Sequence, residues 1–109
     1  MKIMISQPMS CKTQEQIINE RDAVAAALEE KGHTIIDTIF TDSTPKGSSA
    51  PIHFLAKSIE AMSHADAVVF LPGWEKARGC KIEHEIAQNY GLYVKELSKL
   101  DLIACLENF

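Results

Sequence analysis

One glutamate, preceded by a cluster of turn residues, is the side chain here whose type and position best suit chemistry. The stretch Phe70-Leu-Pro-Gly-Trp-Glu-Lys-Ala-Arg-Gly-Cys-Lys-Ile-Glu-His-Glu-Ile-Ala87 reads as a loop that runs into a helix. On a helix over 79–90, Glu83 shares a face with Gly79, Ile86, Ala87 and Tyr90, whereas Lys81, Glu85 and Gln88 point the other way. A carboxylate near the start of a helix can simply answer the macrodipole. One that faces a sheet is costly to bury unless paired, and such groups gather at functional sites. Held beside a sugar, it can attack the anomeric carbon or stabilise oxocarbenium character while the leaving group departs.

Two other stretches are expected at the same end of the molecule. The turn over 6–13 presents Ser6, Gln7, Ser10 and backbone amides where a helix begins, a place that favours anions, although a plain connecting turn has the same pattern. Cys11-Lys-Thr13 resembles the end of a P-loop, but the glycines that wrap a phosphate are missing. Trp74 and Arg78 can act as a stacking ring and an anion clamp; Trp74 can equally plug its loop onto the core. His84 follows Glu83 directly, and consecutive helical residues diverge by about 100°, so it reads as a core or surface histidine. His33, His53 and His64 lack ligand spacing, so neither a metal nor a cofactor is expected.

The elements that must hold these groups alternate between strand and helix. Residues 2–6 form a short apolar strand, and Thr13 with Gln16 makes a capping box for a helix over 14–31. That helix carries Ile17, Arg21, Val24 and Leu28 at helical spacing and stops at Gly32. A strand over 33–40 follows, and the right-handed crossover rule makes it a parallel neighbour of the first. Residues 41–51 read as a loop at a strand's carboxyl end, placed to serve as a lid. A helix over 52–62 precedes the buried strand over 66–71, whose carboxyl end opens onto the Glu83 loop. After the third helix, residues 92–95 form a fourth strand. Leu97, Leu100, Ile103 and Leu106 then suggest a helix, with a fifth strand over 100–106 as the alternative.

With 109 residues the chain builds one core, so a single domain over 1–109 is expected. Apolar residues make up 46% and no apolar run approaches the ~20 residues of a membrane span, which implies a soluble chain without a membrane partner. A strand-like amino terminus in place of a signal peptide implies a cytoplasmic location. The net charge of −4 argues against nucleic acid and favours a small-molecule partner. Cys11, Cys80 and Cys105 are odd in number and lack CxxC spacing, which points to reduced thiols.

Taken together, Met1-Lys-Ile-Met-Ile-Ser-Gln-Pro-Met9, Ala65-Asp-Ala-Val-Val69 and Gly73-Trp-Glu-Lys-Ala-Arg-Gly-Cys-Lys-Ile-Glu-His-Glu-Ile-Ala87 resemble the nucleoside 2-deoxyribosyltransferase-like superfamily, and within it a small branch common in bacteria and their phages. The resemblance covers about residues 1–95, and its most specific part is the spacing of Gly79, Glu83 and Ala87. It implies an α/β fold, a three-layer flavodoxin-like sandwich with a parallel sheet of four or five strands. It further implies a homodimer or larger homo-oligomer whose subunits complete each other's sites. By resemblance, Glu83 is the nucleophile toward C1′ of a nucleoside, nucleotide or dinucleotide, and Ser6, Gln7, Pro8, Met9, Ser58, Gly73, Trp74, Arg78 and Gly79 contact the substrate. The sugar then passes to water or to another base. Met4, Ser58 and Ala77 stand where the better-known enzymes carry helper residues, which motivates a second reading: a module that binds or sequesters a nucleotide-derived metabolite without turnover.

Overall fold

The computed structural model describes residues 1–38 and 49–109. In chain order these form β1 (Lys2–Ser6), α1 (Gln14–Glu30), β2 (Thr34–Ile36), α2 (Ala50–Met62), β3 (Ala67–Phe70), a single 3-10 turn (Trp74–Lys76), α3 (Arg78–Asn89), β4 (Tyr93–Glu96) and α4 (Lys99–Glu107). The described strands make one all-parallel sheet in the order β2-β1-β3-β4. The fold is a three-layer flavodoxin-like α/β sandwich.

Strand alternation sorts the core into two halves. Ile3, Ile5, Ala67, Val69 and Leu71 face Val24 and Leu28 of α1 and Leu102 of α4. Met4, Val68 and Phe70 face the opposite way, onto Met62 of α2 and Ala87 of α3. Ser6, two residues beyond Met4, continues that second row, so the strand's period alone turns its hydroxyl toward the α3 side. Chain order reverses between β1 and β3, and Ser6 pairs in register with Phe70 there. In such sheets the crevice beyond the carboxyl ends at this reversal is the usual ligand position.

Local signals set the helix ends. Thr13 and Gln16 close the expected capping box, and Gly32, at φ +92°, follows the Lys31 cap of α1. α2 starts at Ala50, two residues before the expected start, because Pro51 lies in the first turn, where its missing N–H costs nothing. β2 spans three residues rather than eight. The end of that expected strand and most of the expected lid loop lie outside the described residues.

The tail is helical, as the spacing suggested, but its buried face is a different one. Leu102 and Cys105 pack onto the α1 side of the core, while Leu100, Ile103 and Leu106 are exposed, Leu100 by 77%. The Ser98 cap, with its own capping box to Asp101, starts the helix just after Leu97 docks, and packing of Leu102 and Cys105 on the α1 side of the core leaves the Leu100 stripe outward. Among the described residues no helix is long and apolar enough to cross a membrane.

Candidate active site

Glu83 is placed by two elements that meet only in the folded chain. α3 buries Cys80, Glu83, His84 and Ala87 on one side and leaves Lys81, Glu85 and Gln88 in solvent. Tyr90 departs from the expected face: it is the C-cap of α3, no longer follows the helical rotation, and is 82% exposed. Glu83 itself is 7% exposed, and its Oε1 accepts a hydrogen bond of 3.0 Å from Ser6 Oγ. Burial pushes its carboxyl up to about 7, against the Ser6 donation, which favours the ionised form. A carboxyl poised near neutrality in a buried position can act as a nucleophile when ionised, or exchange a proton with a bound molecule.

The loop after β3 packs against α3 through His84. Gly73 takes φ +92°, a conformation L side chains rarely adopt, and so turns the chain into the 3-10 segment. Trp74 stacks on His84, with ring centroids 4.0 Å apart and planes 10° from parallel, and tilts against Phe70 at 5.6 Å. Of the two uses read for Trp74, this contact with the core is the one described. His84 is accordingly a core histidine: its Nε2 donates to Glu96 Oε2 at 2.7 Å, at the end of β4, and its ring meets Phe70 edge-on.

The turn after β1 divides its residues between roles. Gln7 is buried, and its Nε2 donates to the Ile17 carbonyl of α1 at 2.8 Å, while its Oε1 has no hydrogen-bond partner among the described residues. Pro8 is buried beside Gly73, whose notional Cβ would lie 3.6 Å from Pro8 Cγ. Met9 and Ser10 are exposed, and Cys11 takes φ +62°. Arg78 opens α3 and is exposed, Gly79 is half-buried, and the α3 N-cap is Ala77, which offers no side-chain cap to the first-turn amides. Ser58 is half-buried on α2, outside the Ser6–Glu83 pair. The fold thus joins Ser6 to Glu83 and sets Pro8 against Gly73. It commits one end of Gln7 to α1 and leaves Met9 and Arg78 facing solvent.

Three side chains escaped the sequence reading. Cys80 is buried one turn before Glu83; burial foremost, with the Glu83 charge adding, pushes its thiol up to about 11, while the Ser6 hydroxyl acts the other way. Its three-residue spacing from Glu83 was the available signal. Glu96 is the partner of His84, and a four-residue strand at a sheet edge carries no pattern that marks it. Arg21, read only as one position of a helical stripe, is a buried guanidinium lowered from its ordinary value by burial, with Asp37 and Asp22 opposing that, and its Nη2 lacks a hydrogen-bond partner among the described residues. Among the described residues no group of three His, Cys, Asp or Glu side chains is arranged to hold a metal ion, and the cysteines are free.

A family model described as a domain of unknown function, DUF4406, matches residues 1–96, which takes in every strand, the Ser6–Glu83 pair and the Trp74 loop. No curated protein and no solved structure matches the chain.

Proposed function

For this chain, which belongs to the DUF4406 family, we propose an enzyme that breaks the N-glycosidic bond of a nucleoside, nucleotide or dinucleotide, with Glu83 as nucleophile. The carrying observation is a buried carboxyl, raised to about 7 and held by Ser6, at the carboxyl ends of β1 and β3. An ionised Glu83 oxygen forms a bond to C1′ as the C1′–N bond breaks, and the base leaves with the electron pair. Water or a second base then attacks C1′, and the Glu83 carboxylate is released. The resemblance to nucleoside 2-deoxyribosyltransferases, through Gly79, Glu83 and Ala87, supports the substrate class. Arg78 and the first-turn amides of α3, which lack a side-chain cap, suit a phosphate on the sugar. The exposed Leu100 and Ile103 of α4 suit burial against another copy, in keeping with a homo-oligomer.

The test is release of free base, followed by chromatography, from a panel of ribo- and deoxyribonucleosides, their phosphates and NAD. Wild-type protein should release base from at least one member and Glu83→Gln from none. No base from any member overturns the proposal.

A second reading, binding without turnover, is favoured by one observation: Met4, which stands where the enzymes this chain resembles carry a helper residue, is fully packed into the core and offers no polar group to a substrate. It predicts a ligand recovered intact from denatured protein, and an affinity that falls in Arg78→Ala.

A further inference from the structure

The segment that joins β3 to α3 closes its backbone on itself: Trp74 N–H donates to the Leu71 carbonyl, Lys76 N–H to Gly73 and Ala77 N–H to Trp74. The Trp74 ring ties it to the rest of the fold, stacked on His84 of α3 at 4.0 Å and leaning on Phe70 of β3. Phe70 is apolar, so its contact is the same at every pH. His84 can gain a proton, and histidine is the side chain whose charge changes in the physiological range. Its Nε2–H is committed to Glu96 Oε2 at 2.7 Å, so the added proton goes to Nδ1, and the side chain keeps 11% of its surface in solvent.

Both contacts strengthen when that proton is bound. A ring stacked 10° from parallel on an indole becomes a cation on its face, and a bond to a carboxylate becomes an ion pair. The Glu96 side chain is 50% exposed, so solvent screens the ion pair and the stacked face is the less screened of the two. We propose that His84 is a pH-sensitive clasp: charged, it fastens the Trp74 segment and α3 to the end of β4, and neutral, it lets the segment open locally more often.

The charged groups nearby leave this role to His84. On β4, strand alternation turns Lys95 to the face opposite Glu96. On α3, Glu83 is bonded to Ser6, and Arg78, Lys81 and Glu85 are in solvent. Glu75 and Lys76 of the segment itself are exposed, β3 brings the apolar Val68 and Phe70, and Lys57, Glu60 and His64 line a surface pocket of their own with Ala61.

The experiment is hydrogen exchange of the Trp74, Lys76 and Ala77 amides, read as protection factors so that the intrinsic pH dependence of exchange divides out. It is run in Glu83→Gln, because Glu83 titrates near 7 and changes stability with pH on its own account. Protection should be about threefold higher at pH ~5.5 than at pH ~8, the scale of one cation–π contact. Adding His84→Gln, which keeps a donor for Glu96 but stays neutral, should abolish the difference; adding Glu96→Gln should reduce it. Protection that is flat or rises with pH overturns the proposal. So does a difference that persists in His84→Gln, which would assign it to another histidine. Should His84→Gln not fold, Glu96→Gln decides, and an unreduced difference there overturns the clasp. The proposal is independent of the glycosidic reading, and the exchange data stand whatever the base-release panel gives.

Discussion

Ser6 Oγ and Glu83 Oε1 are hydrogen-bonded at 3.0 Å although 77 positions separate them in the chain. Ser6 is the group that opposes the burial of Glu83, so its removal should raise the carboxyl further above 7. A bond to a charged group of ordinary strength implies that Ser6→Ala moves the midpoint up by about one pH unit. Carboxyl NMR of the free protein checks this. In the proposed activity the rise of rate with pH should move up by the same amount, because the nucleophile is the ionised form.

The same burial makes stability depend on pH in a direction opposite to that of an ordinary paired carboxylate. In the unfolded chain Glu83 titrates near 4.5, and in the folded chain near 7. Between those values the native state holds a proton that the unfolded state has released, so stability falls as pH rises from about 4.5 to about 7 and is level above. The full cost is at most about 3 kcal/mol. Glu83→Gln keeps an acceptor for Ser6 and removes the charge, so it should melt at a higher temperature than wild type at pH ~8, with the gap closing toward pH ~4. Equal melting temperatures across that range would show that the carboxyl is not desolvated in the native state.

Loss of His84 should loosen the loop that carries Trp74. His84→Ala removes both the stacked ring and the 2.7 Å bond to Glu96, at a cost of about 2 kcal/mol. Trp74 is the single tryptophan of the chain, so its fluorescence reports this loop alone. A red-shifted emission at temperatures below the melt is expected; an emission unchanged from wild type would place the support of Trp74 elsewhere.

The turn after β1 offers a stabilising change. Cys11 sits at φ +62° with its side chain exposed, so it has the backbone cost of the left-handed region without packing to offset it. Cys11→Gly should raise stability by about 0.5–1 kcal/mol, read as a rise in the urea midpoint. A lower midpoint would mean that the cysteine side chain contributes more than its conformation costs.

The helix stops, the strand order along the chain and the inward turn of Glu83 were legible in the sequence because each depends on neighbours within a few residues. Thr13 caps with Gln16, Gly32 and Gly91 take positive φ where helices end, and Glu83 faces inward because Gly79 and Ala87 share its side of α3. Likewise, the reading of His84 as a core or surface histidine resolves to the core: it is a buried partner of Trp74 and Glu96.

Tertiary structure decided the rest. Two apolar stripes were available on α4, and only docking against α1 chose Leu102 and Cys105 over Leu100, Ile103 and Leu106. Likewise, nothing local says that a serine closing the first strand will meet a glutamate on the third helix, or that a cysteine one turn earlier will be buried on the same face of that helix. Those contacts arise because β1 and β3 are neighbours in the sheet, which sets the end of one strand beneath the helix that follows the other. Period and capping act over a turn or two of chain, whereas the ionisation of Glu83 depends on which atoms exclude water from it, and those come from both ends of the fold.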